Sequence, residues 1–167
     1  MNLDKILSKK YFYRKLNYSI SSILIIFIDK SRENNFKNKP CKFLYSNFKI
    51  SKDNYQELYY QLCLDFHLDQ STMIYSFILI DRYLKHTNVK LSFENLLFLT
   101  VISITLSIKW ISDKHTYFYK TLIKNNIFID NLFEIESEFL ESIHYNIFVS
   151  KDKFRTYERI LLAQLNN

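Results

Sequence analysis

Two charged residues stand where the hydrophobic pattern asks for apolar ones. Lys109 follows the apolar run from Leu96 to Ile108. At about 100° per residue it projects between Phe98 and Ile102, on the side completed by Leu106. Glu136, by the same count, falls between Leu140 and Ile143, inside the apolar arc of a later helix. An unpaired charge withdrawn from water is costly, so such groups are usually paired. Opposite charges on two helices can make charge-assisted hydrogen bonds to each other, or to groups that a partner brings. The plainer alternative is a lysine snorkelling from a helix end and a glutamate at a face edge.

No other reactive side chains form a constellation. His67, His86, His115 and His144 are dispersed, and none sits in a metal-ligand spacing. Cys41 and Cys63 fit neither CxxC nor a zinc pattern. Two cysteines in a chain of 167 residues fit reduced thiols, which points to an intracellular protein of nucleus or cytoplasm. Glu134, Glu138 and Glu141 gather opposite Leu132, Ile135 and Phe139, as a solvated face does. Glycine is absent from the whole chain, whereas average usage is roughly 7%. Phosphate-cradling loops, the dinucleotide fingerprint and the strained nucleophile elbow all need residues without a Cβ. The expectation is a protein that is not an enzyme and has no cofactor and no metal.

The elements that must position Lys109 and Glu136 are helices. A chain without glycine and with the single proline Pro40 suits helices joined by Asn- and Ser-containing turns. Residues 16–32 carry Ile20, Ile23, Leu24, Phe27 and Ile28 on one stripe. A polar connector with Pro40 follows. Ser51, Asp69, Ser92, Asp130 and Ser150 stand before successive periodic stretches as N-caps. A shorter helix is expected near 115–124. The helix from Ser92 is apolar nearly all round, so it belongs at the centre of a bundle. Its Thr100, Ser103 and Ser107 form a stripe of small residues that lets a neighbour approach closely. The fold class is all-α, with about five core helices and one flanking helix at each end.

The formal net charge is +6. Nucleic acid or an acidic protein surface could use it. The lysines are scattered along the sequence, which favours a solvated surface over a nucleic-acid partner. The start lacks the apolar core of a secretory signal. The runs 19–28 and 96–108 fall short of the roughly 20 apolar residues of a membrane span. The chain reads as soluble, with no membrane partner.

Four stretches, in order, resemble the cyclin box, and within it the P-type and U-type cyclins. "FLYSNFKISKDNYQELYYQL" (43–62) resembles that branch's lead-in and first helix. "FILIDRYL" (77–84) resembles the second helix, "ISITLSIKW" (102–110) the third, and "IESEFLESIHYNIFVSKDKF" (135–154) the fifth and its exit. The resemblance implies a single cyclin-box five-helix bundle. The N-terminal helix and linker would be 1–42, the box 43–149 and the C-terminal flanking helix 150–167. It further implies a regulatory subunit, paired one-to-one with a cyclin-dependent protein kinase. Residues matching Lys109 and Glu136 contact the kinase around its C helix there, with apolar neighbours Phe98, Ile102, Leu106 and Leu140 receiving that helix. It implies an internal ion pair between Asp81 and the first-helix position held by Lys52. The chain departs from the pattern in three places. Phe118 and Thr121 stand where an NxxY is common, and the nearby tyrosines are Tyr117 and Tyr119. Asn125-Asn126 replaces a Gly-Gly turn. The first helix lacks the substrate-docking signature of cell-cycle cyclins. Two alternatives stay open: a cyclin-fold nucleic-acid binder and a kinase-independent scaffold.

Overall fold

A computed structural model describes residues 3–33, 51–87, 89, 91–111, 118–127, 129 and 131–164. Among these there are seven α-helices and no strand: α1 Leu3–Glu33, α2 Lys52–Asp65, α3 Gln70–Thr87, α4 Phe93–Ile111, α5 Phe118–Lys124, α6 Leu132–Ser142 and α7 Lys151–Ala163. The Pro40 connector, Cys41, the lead-in 43–50, His115, Tyr117 and Asp130 lie outside the described residues, as do the side chains of Phe118 and Tyr119.

Side-chain oxygens open four of the helices. Ser51 accepts from the Asn54 N–H at 3.4 Å, and Ser92 from Asn95 at 3.2 Å. Asp69 accepts from Thr72 at 2.7 Å, and Ser150 from Lys153 at 3.4 Å. Each satisfies an N–H that the first turn leaves without a partner, worth about 1 kcal/mol. α6 differs. Its N-cap is Asn131, in left-handed backbone with φ 54°, and no side chain caps it.

The helix ends show how a chain without glycine turns. After α2, the Leu68 N–H reaches the Cys63 carbonyl at 3.0 Å and the His67 N–H reaches Leu64 at 3.0 Å. This is the Schellman pattern, in which the residue at C′ is left-handed and is usually glycine. Here His67 fills that place, with φ 50°. The same pair of bonds closes α5 around Asn126 (φ 56°) and α6 around His144 (φ 54°). Asparagine does hold the turn where the resembled pattern has glycine. The two histidines take up the same geometry with a Cβ in the way.

α3 and α4 form the most extensive helix pair. Thr100, Ser103 and Ser107 on α4 are all fully buried. Their polarity is absorbed locally. Ser103 donates to the Thr100 carbonyl at 2.9 Å and Ser107 to the Ser103 carbonyl at 2.6 Å. The Tyr55 hydroxyl of α2 meets Thr100 Oγ1 at 2.8 Å. The centre is shared, because α3 is buried without a break from Thr72 to Ile80.

α1 is longer than its stripe. The expected helix begins at residue 16, whereas α1 begins at Leu3. The apolar periodicity starts only where the helix meets the core, and no glycine or proline interrupts the residues before it. Leu16, Ile20, Leu24 and Ile28 are fully buried, each contributing roughly 1.5–3 kcal/mol. Phe27 stacks on Phe77 of α3, with ring centres 6.3 Å apart. α7 packs on both: Ser19 donates to the Leu161 carbonyl at 3.2 Å, and Tyr157 meets Phe77 edge-on at 6.1 Å.

Replacing the exposed His67 by glycine relieves its left-handed strain while keeping both backbone bonds. His67→Gly is expected to raise stability to urea by about 0.5–1 kcal/mol. A loss of that size would show that the imidazole itself holds the turn.

Candidate functional site

Lys109 occupies the last turn of α4, where the helix dipole favours a cation. Glu136 lies on α6, which packs against α4. The Lys109 Nζ donates to both carboxylate oxygens of Glu136, at 2.7 and 2.6 Å. The lysine side chain is 52% exposed and the glutamate side chain 9%. The pair is therefore asymmetric. The carboxylate is recessed among apolar side chains and the ammonium covers it from the solvent side. Removing Lys109 would strand a buried charge, whereas removing Glu136 would free a lysine that already reaches water.

The apolar residues expected around the pair divide into two groups. Ile102 and Leu106 are 1% and 5% exposed, members of the protein's own core. They present almost no surface to a partner and act as the floor beneath it. Phe98 and Leu140 are half-buried. Trp110 and Ile111, next in sequence to Lys109, are exposed, with Trp110 at 54%. Neither stands out as surface in the sequence, because a helix end has no apolar period to judge them by. The last turn of α4 thus presents a paired charge, an indole and a branched aliphatic side chain.

Asp81 does not pair with Lys52. Its partner is Lys85, one turn along α3, at 2.6 Å, and it also accepts the Tyr157 hydroxyl of α7. Lys52 is exposed at the first residue of α2. An i,i+4 partner needs no second helix to be in register, so the local lysine prevails. Burial, and then the Asp81 carboxylate, raise the Tyr157 hydroxyl above its ordinary range.

The residue beside Asp81 carries more of the structure. Arg82 is buried, and its guanidinium donates to the Asn146 carbonyl, to Asn146 Oδ1 at 3.3 Å and to the Phe148 carbonyl at 3.1 Å. Tyr75, two turns earlier on the same line of α3, donates to the Ile147 carbonyl at 2.5 Å. Burial raises the Tyr75 hydroxyl to about 12, against the lowering effect of Arg82. Three successive carbonyls between α6 and α7 are thus held by two α3 side chains. This segment leaves α6 directly, so Arg82 fixes the helix that carries Glu136. The angular count that singles out Lys109 also places Arg82 on the line of Tyr75, Ile78 and Leu79. The signal was in the sequence.

Other candidate groups are placed as follows. His86 and His144 come together edge-to-face, with ring centres 5.4 Å apart. Among the described residues no three metal-ligating side chains meet. Cys63 is fully buried, and its burial raises the thiol pKa. Glu134 and Glu141 are exposed and Glu138 is half-buried. No helix among the described residues is long and apolar enough to cross a membrane.

Arg82→Met keeps the stem and removes the charge-assisted bonds. It is expected to cost about 2–3 kcal/mol in urea unfolding, and Tyr75→Phe about 1 kcal/mol. Equal stability of Arg82→Met and wild type would mean that the 146–148 carbonyls find water just as well.

Compared with known protein families, curated proteins and solved structures, the chain matches none.

Proposed function

We propose that this protein is a cyclin-like regulatory subunit that binds a cyclin-dependent protein kinase and favours its active form. The observation that carries the reading is the Lys109–Glu136 pair, which joins the end of α4 to α6 beside exposed apolar surface. The resemblance of four stretches in order supports the cyclin reading, and the all-α architecture with a buried α4 is compatible with it.

The mechanism needs no catalytic group from this chain. A protein kinase is active when the lysine of its β3 strand pairs with the glutamate of its C helix and its activation loop is in place. A surface that binds the active orientation better than the inactive one shifts the balance toward it. Trp110, Ile111, Phe98 and Leu140 would supply apolar contact to the C-helix region. Lys109 and Glu136 would exchange part of their mutual bonding for hydrogen bonds to kinase backbone. The recessed carboxylate accepts and the exposed ammonium donates, so together they can read one N–H and one carbonyl. The partner is one kinase molecule, and the complex is an intracellular heterodimer.

The test is co-purification with cyclin-dependent kinases of the same cell, comparing wild type with Lys109→Ala/Glu136→Ala. Removing both charges together leaves no stranded carboxylate, so the double variant should stay folded by circular dichroism. Wild type is expected to recover active kinase, and the double variant at least tenfold less. Equal recovery would move the interface elsewhere. No recovery by wild type would favour the scaffold reading.

A further inference from the structure

The charge of this protein is divided between its layers. Among the described side chains, α1 and α7 together carry six cations (Arg14, Lys15, Lys151, Lys153, Arg155 and Arg159) and three anions (Asp29, Asp152 and Glu158), a balance of +3. The described side chains of residues 51–150 comprise six cations and nine anions, a balance of −3. Cations that look scattered in sequence are therefore gathered by the fold, since α1 and α7 pack on one another through Ser19 and Leu161. On α7, Lys151, Arg155 and Arg159 follow one another at helical spacing along one flank, all exposed. On α1, Tyr11, Arg14, Lys15 and Tyr18 stand at i, i+3, i+4 and i+7, so they share one face, and all four are exposed. Tyr11 and Tyr18 are 64% and 65% exposed. The Lys15 ammonium lies 4.8 Å from the centre of the Tyr11 ring.

We infer that the outer face of α1, with α7 beside it, binds single-stranded nucleic acid. Cations complement the phosphates, and exposed rings between them offer stacking surface to unpaired bases. Two features separate this ligand from other polyanions. A membrane-surface helix needs a broad free apolar face, whereas α1 has turned Leu16, Ile20, Leu24 and Ile28 into the core and exposes only Phe12 and Ile26 beside its two tyrosines and its cations. An acidic peptide uses the cations but gains nothing from stacking on tyrosine rings. The anionic body at 51–150 repels the strand and confines it to the cationic layer. None of the residues assigned to the kinase-facing site takes part, so this inference does not depend on that reading.

The test is fluorescence anisotropy of a labelled oligothymidylate with the full chain, between about 50 and 200 mM salt. Wild type is expected to bind with an affinity that falls as salt rises. Tyr11→Ala/Tyr18→Ala should weaken binding by roughly tenfold or more at unchanged salt slope. Arg14→Gln/Lys15→Gln should flatten the slope by about 1.4, at roughly 0.7 per neutralised phosphate. All four side chains are exposed, and circular dichroism checks that both variants fold. Wild-type affinity in the tyrosine variant would overturn the proposal, as would no binding at the lowest salt. Tighter binding to phosphatidylserine vesicles than to the strand would also overturn it.

Discussion

Glu136 is nearly withdrawn from water and charged, and Lys109 is the cation beside it. Neither helix needs this pair to form, because α4 is apolar enough to be buried without it. The pair instead sets where the end of α4 stands relative to α6, since one ammonium must reach both carboxylate oxygens. An apolar pair of similar volume could pack there at comparable stability. The ammonium stays open to solvent while the carboxylate beneath it is covered. A partner can approach the lysine directly and reach the glutamate once the lysine moves.

α3 holds this arrangement from behind. Arg82 and Tyr75 anchor the carbonyls of 146–148, while Asp81, on another line of the same helix, receives Tyr157. One helix thus fixes the exit of α6 and the position of α7. The Schellman turns at His67, Asn126 and His144 then determine how α2, α5 and α6 leave their ends. In a chain without glycine, each of these turns carries a Cβ in left-handed backbone. At two of them, Leu68 and Ile127 are buried directly after the turn, and that packing offsets the strain.

Much of the fold is legible because periodicity and capping act locally. Ser51, Asp69, Ser92 and Ser150 cap the helices they precede, and the small-residue stripe of α4 is buried. The N-terminal half of α1 was not legible, since its helix needs no apolar face once the later half is anchored. The site was legible in part. Lys109 and Glu136 stand out against an apolar pattern, and they do meet. Whether Ile102 and Leu106 line a surface or a core depends on how far α6 covers α4, which no single-helix pattern contains. Asp81 was assigned to Lys52 by resemblance, whereas its own helix supplies Lys85. Arg82, its neighbour in the same Asp-Arg pair, finds its partners in the backbone of 146–148, which no pairing of charges in the sequence indicates.

The most direct measurement is hydrogen–deuterium exchange of the protein alone and with a cyclin-dependent kinase. Kinase docking at the Lys109–Glu136 pair should slow exchange in peptides covering the last turn of α4 and the whole of α6. Peptides from the exposed flank of α7 should be unchanged. Unchanged exchange at α4 and α6 in a mixture that forms a complex, with protection elsewhere, would contradict the assignment of this surface to the kinase.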